Sequence, residues 1–186
     1  MNENLDLFEK VINKTIPKVD YVDIRAGNGN NTSIIMKDGE VQEINTGNSL
    51  GIRIRVLNNG AWGFAYTNDL SKLDEIAQTS IKISNSLKGD ESLSKADIIQ
   101  DKVSTDVKIP FSDVSIEEKK EIMSEASKAA SLKEVTSTTV SYSDSQSQEV
   151  ILSSEGTSIE MNTNRVAMFL NAAASDGTMM QIGHNS

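Results

Sequence analysis

The first 89 residues alternate between helical and strand-like hydrophobic patterns. Apolar residues at helical spacing predict a helix over 4–15, which Pro17 ends because a proline disfavours the helical region for the residue before it. From 21 to 67 apolar and polar residues alternate, a period typical of half-buried strands. The expected strands are 22–26, 32–37, 40–45, 51–57 and 62–67. Gly27-Asn28-Gly29 is interpreted as a simple loop.

Two dipeptides predict tight hairpins between these strands. Asp38-Gly39 and Asn59-Gly60 suit primed turns, which need positive φ at both central residues. A second helix is expected over about 70–88, with Asn68 or Asp69 as its N-cap. Gly89 follows as the C′ residue. The expected buried stripe of this helix is Leu70, Leu73, Ile76, Ala77, Ile81, Ser84 and Leu87.

The second half repeats the pattern after a weakly patterned stretch. Residues 90–111 are interpreted as a connector with a short strand near 107–109. A capping box at Ser115 and Glu118 then opens a third helix that runs to about Ala130. Its expected inward residues are Ile116, Met123, Ala126 and Ala130. Strand-like segments continue from Val135 to the end.

Glycine turns in the two halves fall at one offset. Gly156 follows Gly39 by 117 positions, and Gly177 follows Gly60 by the same number. The pattern predicts an α+β fold of two helix-plus-antiparallel-β-meander repeats, over 1–89 and 112–186, joined by 90–111. We expect 21–67 and 138–184 to superpose. The second copy ends where its second helix would begin, so we expect the chain to be a fragment of a longer protein.

Composition narrows the function classes. The net charge of -9 disfavours nucleic acid and anionic lipid as partners, because like charges repel. The chain has no cysteine and no apolar run long enough for a membrane span, and its start is unlike a secretory signal. We therefore expect a cytoplasmic soluble protein. The single histidine, His184, lacks the partners of a catalytic zinc site and is interpreted as a structural or surface residue.

The segment 61–66 carries the sharpest local signal. Trp62, Phe64 and Tyr66 share one strand face, and Gly63 and Ala65 leave the other face thin. These aromatics could form the core of the first unit against the 70–88 helix, a peptide-contact face, or a base-stacking surface. Aromatics are only 4% of the chain, and their scarcity favours the core, for which Trp62→Ala would cost about 3–5 kcal/mol.

Two arginines form a second candidate contact site. Arg53 and Arg55 lie on the strand face opposite Ile52 and Ile54. They could clamp a carboxylate of a peptide or partner. The alternative is a solvated face paired with a cross-strand acidic residue, Glu40 or Asp23.

Several motifs resemble the amino-terminal region of TldD/PmbA proteins. The similarity is carried by KDGEVQE at 37–43, GIRIRV at 51–56 and GAWGFAYTNDLS at 60–71. VSIEEK at 114–119 is closer to the TldD side, and QIGHNS at 181–186 resembles a segment that continues into a Gly-rich stretch.

The resemblance implies a cytoplasmic zinc metallopeptidase that cleaves unfolded peptides, with TldD-like and PmbA-like subunits that pair. The zinc motif of the family lies in the carboxy-terminal half, so no metal or catalytic residue is carried over. The implied role is to shape the substrate chamber and the subunit contacts. The alternatives are a binding or regulatory region of a catalytically silent PmbA-like subunit, with that subunit or a second copy as partner, and an RNA-binding sheet.

Overall fold

A computed structural model describes residues 2–175 and 179–185. The helices and strands alternate in the mixed order expected of an α+β chain, which confirms the predicted class. They are α1 (Leu5–Thr15), β1 (Tyr21–Lys37), β2 (Glu40–Asn58), β3 (Ala61–Thr67), α2 (Leu73–Ser86), β4 (Gln100–Ser104), α3 (Ile116–Ala130), β5 (Val135–Ser153), β6 (Ser158–Ser175) and β7 (Met179–Asn185). None of the described helices is long and apolar enough to cross a membrane.

The strands form one sheet of order β3-β2-β1-β5-β6-β4, in which β7 also pairs with β6. β3 runs antiparallel to β2, and β7 runs antiparallel to β6. Each repeat is therefore a meander with the same strand order, as predicted. Gly39 and Gly156 both have positive φ, 81° and 101°. Gly177, the predicted equivalent of Gly60, lies outside the described residues.

Both predicted hairpin turns are confirmed by their backbone angles. φ is 52° at Asp38 and 49° at Asn59, and each is followed by a glycine with positive φ. Primed turns match the right-handed twist of the strands that they connect. The Asp38 carboxylate also accepts a hydrogen bond from the Thr138 amide at 2.7 Å.

The predicted breaks within the first two strands are wrong. Gly27-Asn28-Gly29 lies inside β1, and residues 46–50 lie inside β2. β1 has a neighbouring strand on each side, and hydrogen bonding to both outweighs the weak strand propensity of glycine and asparagine. A Cβ built on Gly27 would lie 3.4 Å from Glu149 Cγ and 3.6 Å from the Gln148 carbonyl oxygen, so β5 passes close to this glycine.

The predicted capping residues are observed at helix starts, whereas the predicted end of α2 differs from the structure. The Asp69 carboxylate accepts from the Ser71 amide at 2.9 Å and caps the 3₁₀ turn Leu70–Lys72 that leads into α2, and the Ser115–Glu118 capping box forms at α3. Gly89 is not a C′ residue, because α2 ends at Ser86 and Leu87 is 54% exposed. Gly89 instead lies against the Gly60 turn, and a Cβ there would approach the Gly60 carbonyl oxygen to 2.0 Å.

The connector contains a short strand, but the strand does not lie near 107–109 as predicted. β4 spans Gln100–Ser104 and pairs parallel to β6, with Gln100 opposite Ser158. All of its side chains are exposed, so no hydrophobic pattern marks it in the sequence.

The described chain divides into two compact units that do not follow chain order. Unit 1 contains 1–29, 49–104 and 147–162, and unit 2 contains 30–48, 105–146 and 163–186. In unit 1, α1 and α2 pack aliphatic side chains on strands β1, β2 and β5. The core of unit 2 is smaller and joins α3 to the sheet through Met123, with Ile34, Met36 and Val140.

Candidate peptide-contact face

Helix α2 packs on the glycine side of β3, and the prediction that the aromatics pack on it is wrong. A Cβ built on Gly63 would lie 2.0 Å from the Ser80 carbonyl oxygen and 2.7 Å from the Ser84 amide nitrogen. The helix backbone therefore contacts the strand so closely that only glycine fits. Phe64 is 60% exposed and Tyr66 80% exposed. The core of unit 1 is filled by aliphatic residues and Phe8 instead.

The other side of β1, β2 and β3 gathers arginines and aromatics on one surface. Side chains alternate between the two faces of a strand, so the neighbours of the core residues Ile52 and Ile54 point away from the helices. Arg55 pairs across the ladder with Phe64, and Arg53 with Tyr66. We name this surface the arginine–aromatic face and define it as Tyr21, Asp23, Arg25, Arg53, Arg55, Trp62, Phe64 and Tyr66.

Asp23 is the buried anion of this face. Arg55 Nε and Nη2 both lie 2.7 Å from Asp23 Oδ2, and Arg53 Nη2 lies 3.7 Å from Oδ1. Asp23, rather than Glu40, is thus the acidic partner of the arginine pair. A desolvated carboxylate needs such a partner, because an unpaired buried charge is strongly unfavourable. Asp23 Oδ1 and Arg53 Nε have no hydrogen-bond partner in the described ranges, so Arg53 is only partly neutralised.

Trp62 is held in place by Arg55 and Tyr21. The Arg55 guanidinium lies 4.3 Å from the centre of the Trp62 ring, a cation–π contact. The Tyr21 ring meets Trp62 edge-on, with centroids 6.0 Å apart. Burial, followed by the negative charge of Asp23, raises the pKa of Tyr21 above its ordinary value, so its phenol stays neutral. These contacts fix the arginine that pairs with the buried Asp23.

A shallow cavity adjoins the exposed end of the face. Its volume is about 620 Å³, and its lining includes Arg25, Arg53, Tyr66 and Asn68. Gly51 also lines it, and a Cβ on this glycine would meet nothing within 4 Å. The arrangement offers guanidinium donors beside an exposed phenol ring.

The sequence prediction of the face was partial. Arg53 and Arg55 share a face opposite Ile52 and Ile54 as predicted. Arg25 and Tyr21 were missed, although their odd positions in the same alternating segment as Asp23 carried the signal. Whether the face contacts a peptide or a partner stays a prediction.

Unit 2 contains a buried charged cluster that the sequence reasoning also missed. Lys119 is 4% exposed, and its Nζ lies 2.6 Å from Asp144 Oδ2. The Tyr142 hydroxyl donates to the same oxygen at 2.8 Å. Burial, and then Asp144, raises the pKa of Tyr142, which keeps the hydroxyl a donor. Lys119 lies four residues before the buried Met123, which places it on the inward stripe of α3.

No group of three or more His, Cys, Asp and Glu residues that could hold a metal occurs within the described part of the chain. His184 belongs to β7, and its side chain lies outside the described residues. The described residues therefore do not fit the zinc site that the resemblance implies for the whole protein.

Two family models match the chain. The model of PmbA/TldA metallopeptidase domain 1 matches residues 22–84, and that of the PmbA/TldA metallopeptidase central domain matches 109–186. Two similar relatives are archaeal. A protein named metalloprotease from Methanothermobacter thermautotrophicus is 46% identical over 100% of this chain and 41% of its own length. Metalloprotease MJ0996 from Methanocaldococcus jannaschii is 35% identical over 97% of this chain and 40% of its own length.

Solved structures share the fold at low sequence identity. A protein named as a modulator of DNA gyrase from Bacteroides thetaiotaomicron superposes with a TM-score of 0.81 at 16% identity, over 100% of this chain and 44% of the other. TldE from Thermococcus kodakarensis gives 0.75 at 16% identity, over 96% and 42%. The chain spans about two fifths of the length of these relatives. The chain thus belongs to the TldD/PmbA family, and the matching parts are the first and central domains of that family.

Proposed function

We propose that this chain is the non-catalytic amino-terminal region of a zinc metallopeptidase that acts on unfolded peptides. In this proposal the arginine–aromatic face forms part of the wall of the substrate chamber. It also contributes to the contacts between subunits. The names of the two archaeal relatives support a metal-dependent protease as the whole protein. Zinc, when bound by the rest of the protein, would supply the activated water for peptide hydrolysis.

The exposure of Phe64 and Tyr66 carries the proposal. These rings lie on neighbouring rungs of one strand, beside arginines that a buried carboxylate holds in place. Contiguous exposed aromatic surface is uncommon on a chain that has no partner, and tyrosine and arginine are enriched where proteins bind ligands. The helices cover the other side of the same strands, so these rings contribute little to the core of unit 1.

Peptide contact on this surface needs no catalytic group from the chain. An extended peptide presents its side chains at alternate positions, as a strand does. Rings of Phe64 and Tyr66 can pack on apolar side chains of the peptide, and the arginines can donate hydrogen bonds to its polar groups. The role of the face is therefore to bind and orient a substrate that is cleaved elsewhere.

Binding of an unfolded polypeptide tests the proposal. We expect reduced, carboxymethylated casein to bind the 186-residue chain and Phe64→Ser/Tyr66→Ser to weaken it about tenfold or more, the effect of losing two ring contacts. The matched control is Phe169→Ser in unit 2, which removes another aromatic ring that is 47% exposed. Equal binding by all three proteins, with unchanged thermal unfolding, would rule out the assignment.

A further inference from the structure

We propose that the arginine–aromatic face selects acidic side chains of an extended peptide. The inference rests on the proposed function and adds the chemical class of the substrate. Arg25 and Arg53 would bind carboxylates at every second position of the peptide, and Tyr66 would pack on the aliphatic part of these same side chains. The occupant to which we commit is an acidic segment within an unfolded chain.

The guanidinium groups of the arginine–aromatic face are incompletely paired. Arg55 places two nitrogens on Asp23 Oδ2, whereas Arg53 Nη2 stays 3.7 Å from Oδ1 and the Arg53 side chain is 39% exposed. Arg25 is exposed, and the described part of the chain contains no ion pair of Arg25. Two of the three guanidinium groups thus keep donors for a ligand.

The arginine–aromatic face differs in charge from the chain as a whole. The chain carries 27 acidic and 18 Lys and Arg residues, so most of its surface repels an acidic peptide. Three of its four arginines are nevertheless on this face, with Asp23 as the one acid among its defining residues. Glu149 lines an adjoining cavity together with Arg25 and leaves the local balance positive. An acidic ligand would therefore be attracted to this face rather than to the chain as a whole.

Geometry selects side-chain carboxylates over a single terminal one. A guanidinium matches a carboxylate through two parallel hydrogen bonds. Arg25 and Arg53 lie on different strands, β1 and β2, and line the same cavity of about 620 Å³. Two separate donors on one open surface suit several carboxylates spaced along a peptide, whereas a peptide has only one carboxyl terminus.

Fluorescence of Trp62, the one tryptophan of the chain, gives a local readout because this ring contacts Arg55. The probes are ten-residue amidated peptides without tryptophan, with Glu, Gln or Lys at every second position and Ser, Ala or Leu between. A fourth probe is the Gln peptide with a free carboxyl terminus. We expect the Glu peptide to bind about tenfold or more tightly than the Gln peptide, as charge-assisted contacts require, and to weaken as salt rises.

The variants are Arg25→Gln/Arg53→Gln and the control Arg165→Gln, which removes the fourth arginine in unit 2. Arg55 is kept, so Asp23 retains its close partner. We expect the double variant to bring the Glu peptide to the affinity of the Gln peptide and the control to change neither. Circular dichroism and thermal unfolding of the variants confirm that they are folded.

Each of the other outcomes would overturn the inference, and each would do so for a different reason. Equal binding of the Glu, Gln and Lys peptides would leave peptide binding intact and refute the acidic preference. Tighter binding that appears only with the free carboxyl terminus would mean that the arginines bind the terminal carboxylate. Binding of no peptide would refute the proposed function as well. Concentration-dependent sedimentation that the double variant abolishes, without peptide binding, would make the face a contact between copies.

Discussion

Gly63 is a position at which one added methyl group should strongly destabilise the fold. A Cβ there would lie 2.0 Å from the Ser80 carbonyl oxygen and 2.7 Å from the Ser84 amide nitrogen, both in the backbone of α2. Rotamer changes cannot relieve contacts with backbone, so the helix must move by about 1 Å or more to restore ordinary separations. That shift loosens the packing of four core side chains, Leu73, Ile76, Ala77 and Ile81.

The expected loss for Gly63→Ala is about 3 kcal/mol. Overpacking alone costs about 1–3 kcal/mol, and each large side chain of α2 contributes roughly 1.5–3 kcal/mol by its burial, part of which is lost. For a chain of this size the melting temperature should fall by about 6–12 °C. Gly63→Val should lower it further.

Urea unfolding, monitored by circular dichroism, measures this loss in the free energy of unfolding. The control is Gly51→Ala on the neighbouring strand, where an added Cβ meets nothing within 4 Å, and we expect it to change stability by less than about 0.5 kcal/mol. A Gly63→Ala protein as stable as the Gly51→Ala protein would refute the close contact between α2 and β3.

Three further predictions concern stability and ligand class. Asp144→Ala should cost about 3–5 kcal/mol in urea unfolding because it leaves Lys119 charged and buried, whereas Lys119→Met/Asp144→Asn should recover most of that loss. Trp62→Ala should cost about 1–2 kcal/mol, less than the loss of a core aromatic, since the half-buried ring contacts Arg55 and Tyr21 rather than the helices; a loss near 4 kcal/mol in thermal unfolding would place Trp62 in the core. Single-stranded RNA should not bind in a filter assay at physiological salt, given the net charge of -9, and retention of RNA by the wild-type chain but not by Phe64→Ser/Tyr66→Ser would favour base stacking.

Local signals in the sequence predicted the turns, caps and repeat. Positive φ at Asp38 and Asn59 and the capping box of Ser115 and Glu118 depend on residues only a few positions apart. The common offset of Gly39 and Gly156 marked the two meanders before the strand order was known. Continuity of β1 through Gly27 could not be predicted, because it depends on β5, which is distant in sequence.

The orientation of β3 shows why the candidate face was only half predictable. Alternation of Trp62, Phe64 and Tyr66 with Gly63 and Ala65 separates two faces, but it does not say which face a helix covers. Abundant aliphatic residues made the aromatics unnecessary for the core, and close approach of α2 required the small side. Lys119 was missed because a lysine in a charged helix is usually solvated.

Photo-crosslinking of an unfolded peptide identifies the surface of the chain that contacts it. A Glu-rich peptide that carries a photoreactive phenylalanine is irradiated with the 186-residue chain, and the attached tryptic fragments are identified by mass spectrometry. If the arginine–aromatic face binds the peptide, crosslinks should form on the fragment 56–72, which contains Trp62, Phe64 and Tyr66, and unlabelled peptide should compete with them. Crosslinks confined to fragments of α1 or α3, with 56–72 unmodified, would contradict that binding.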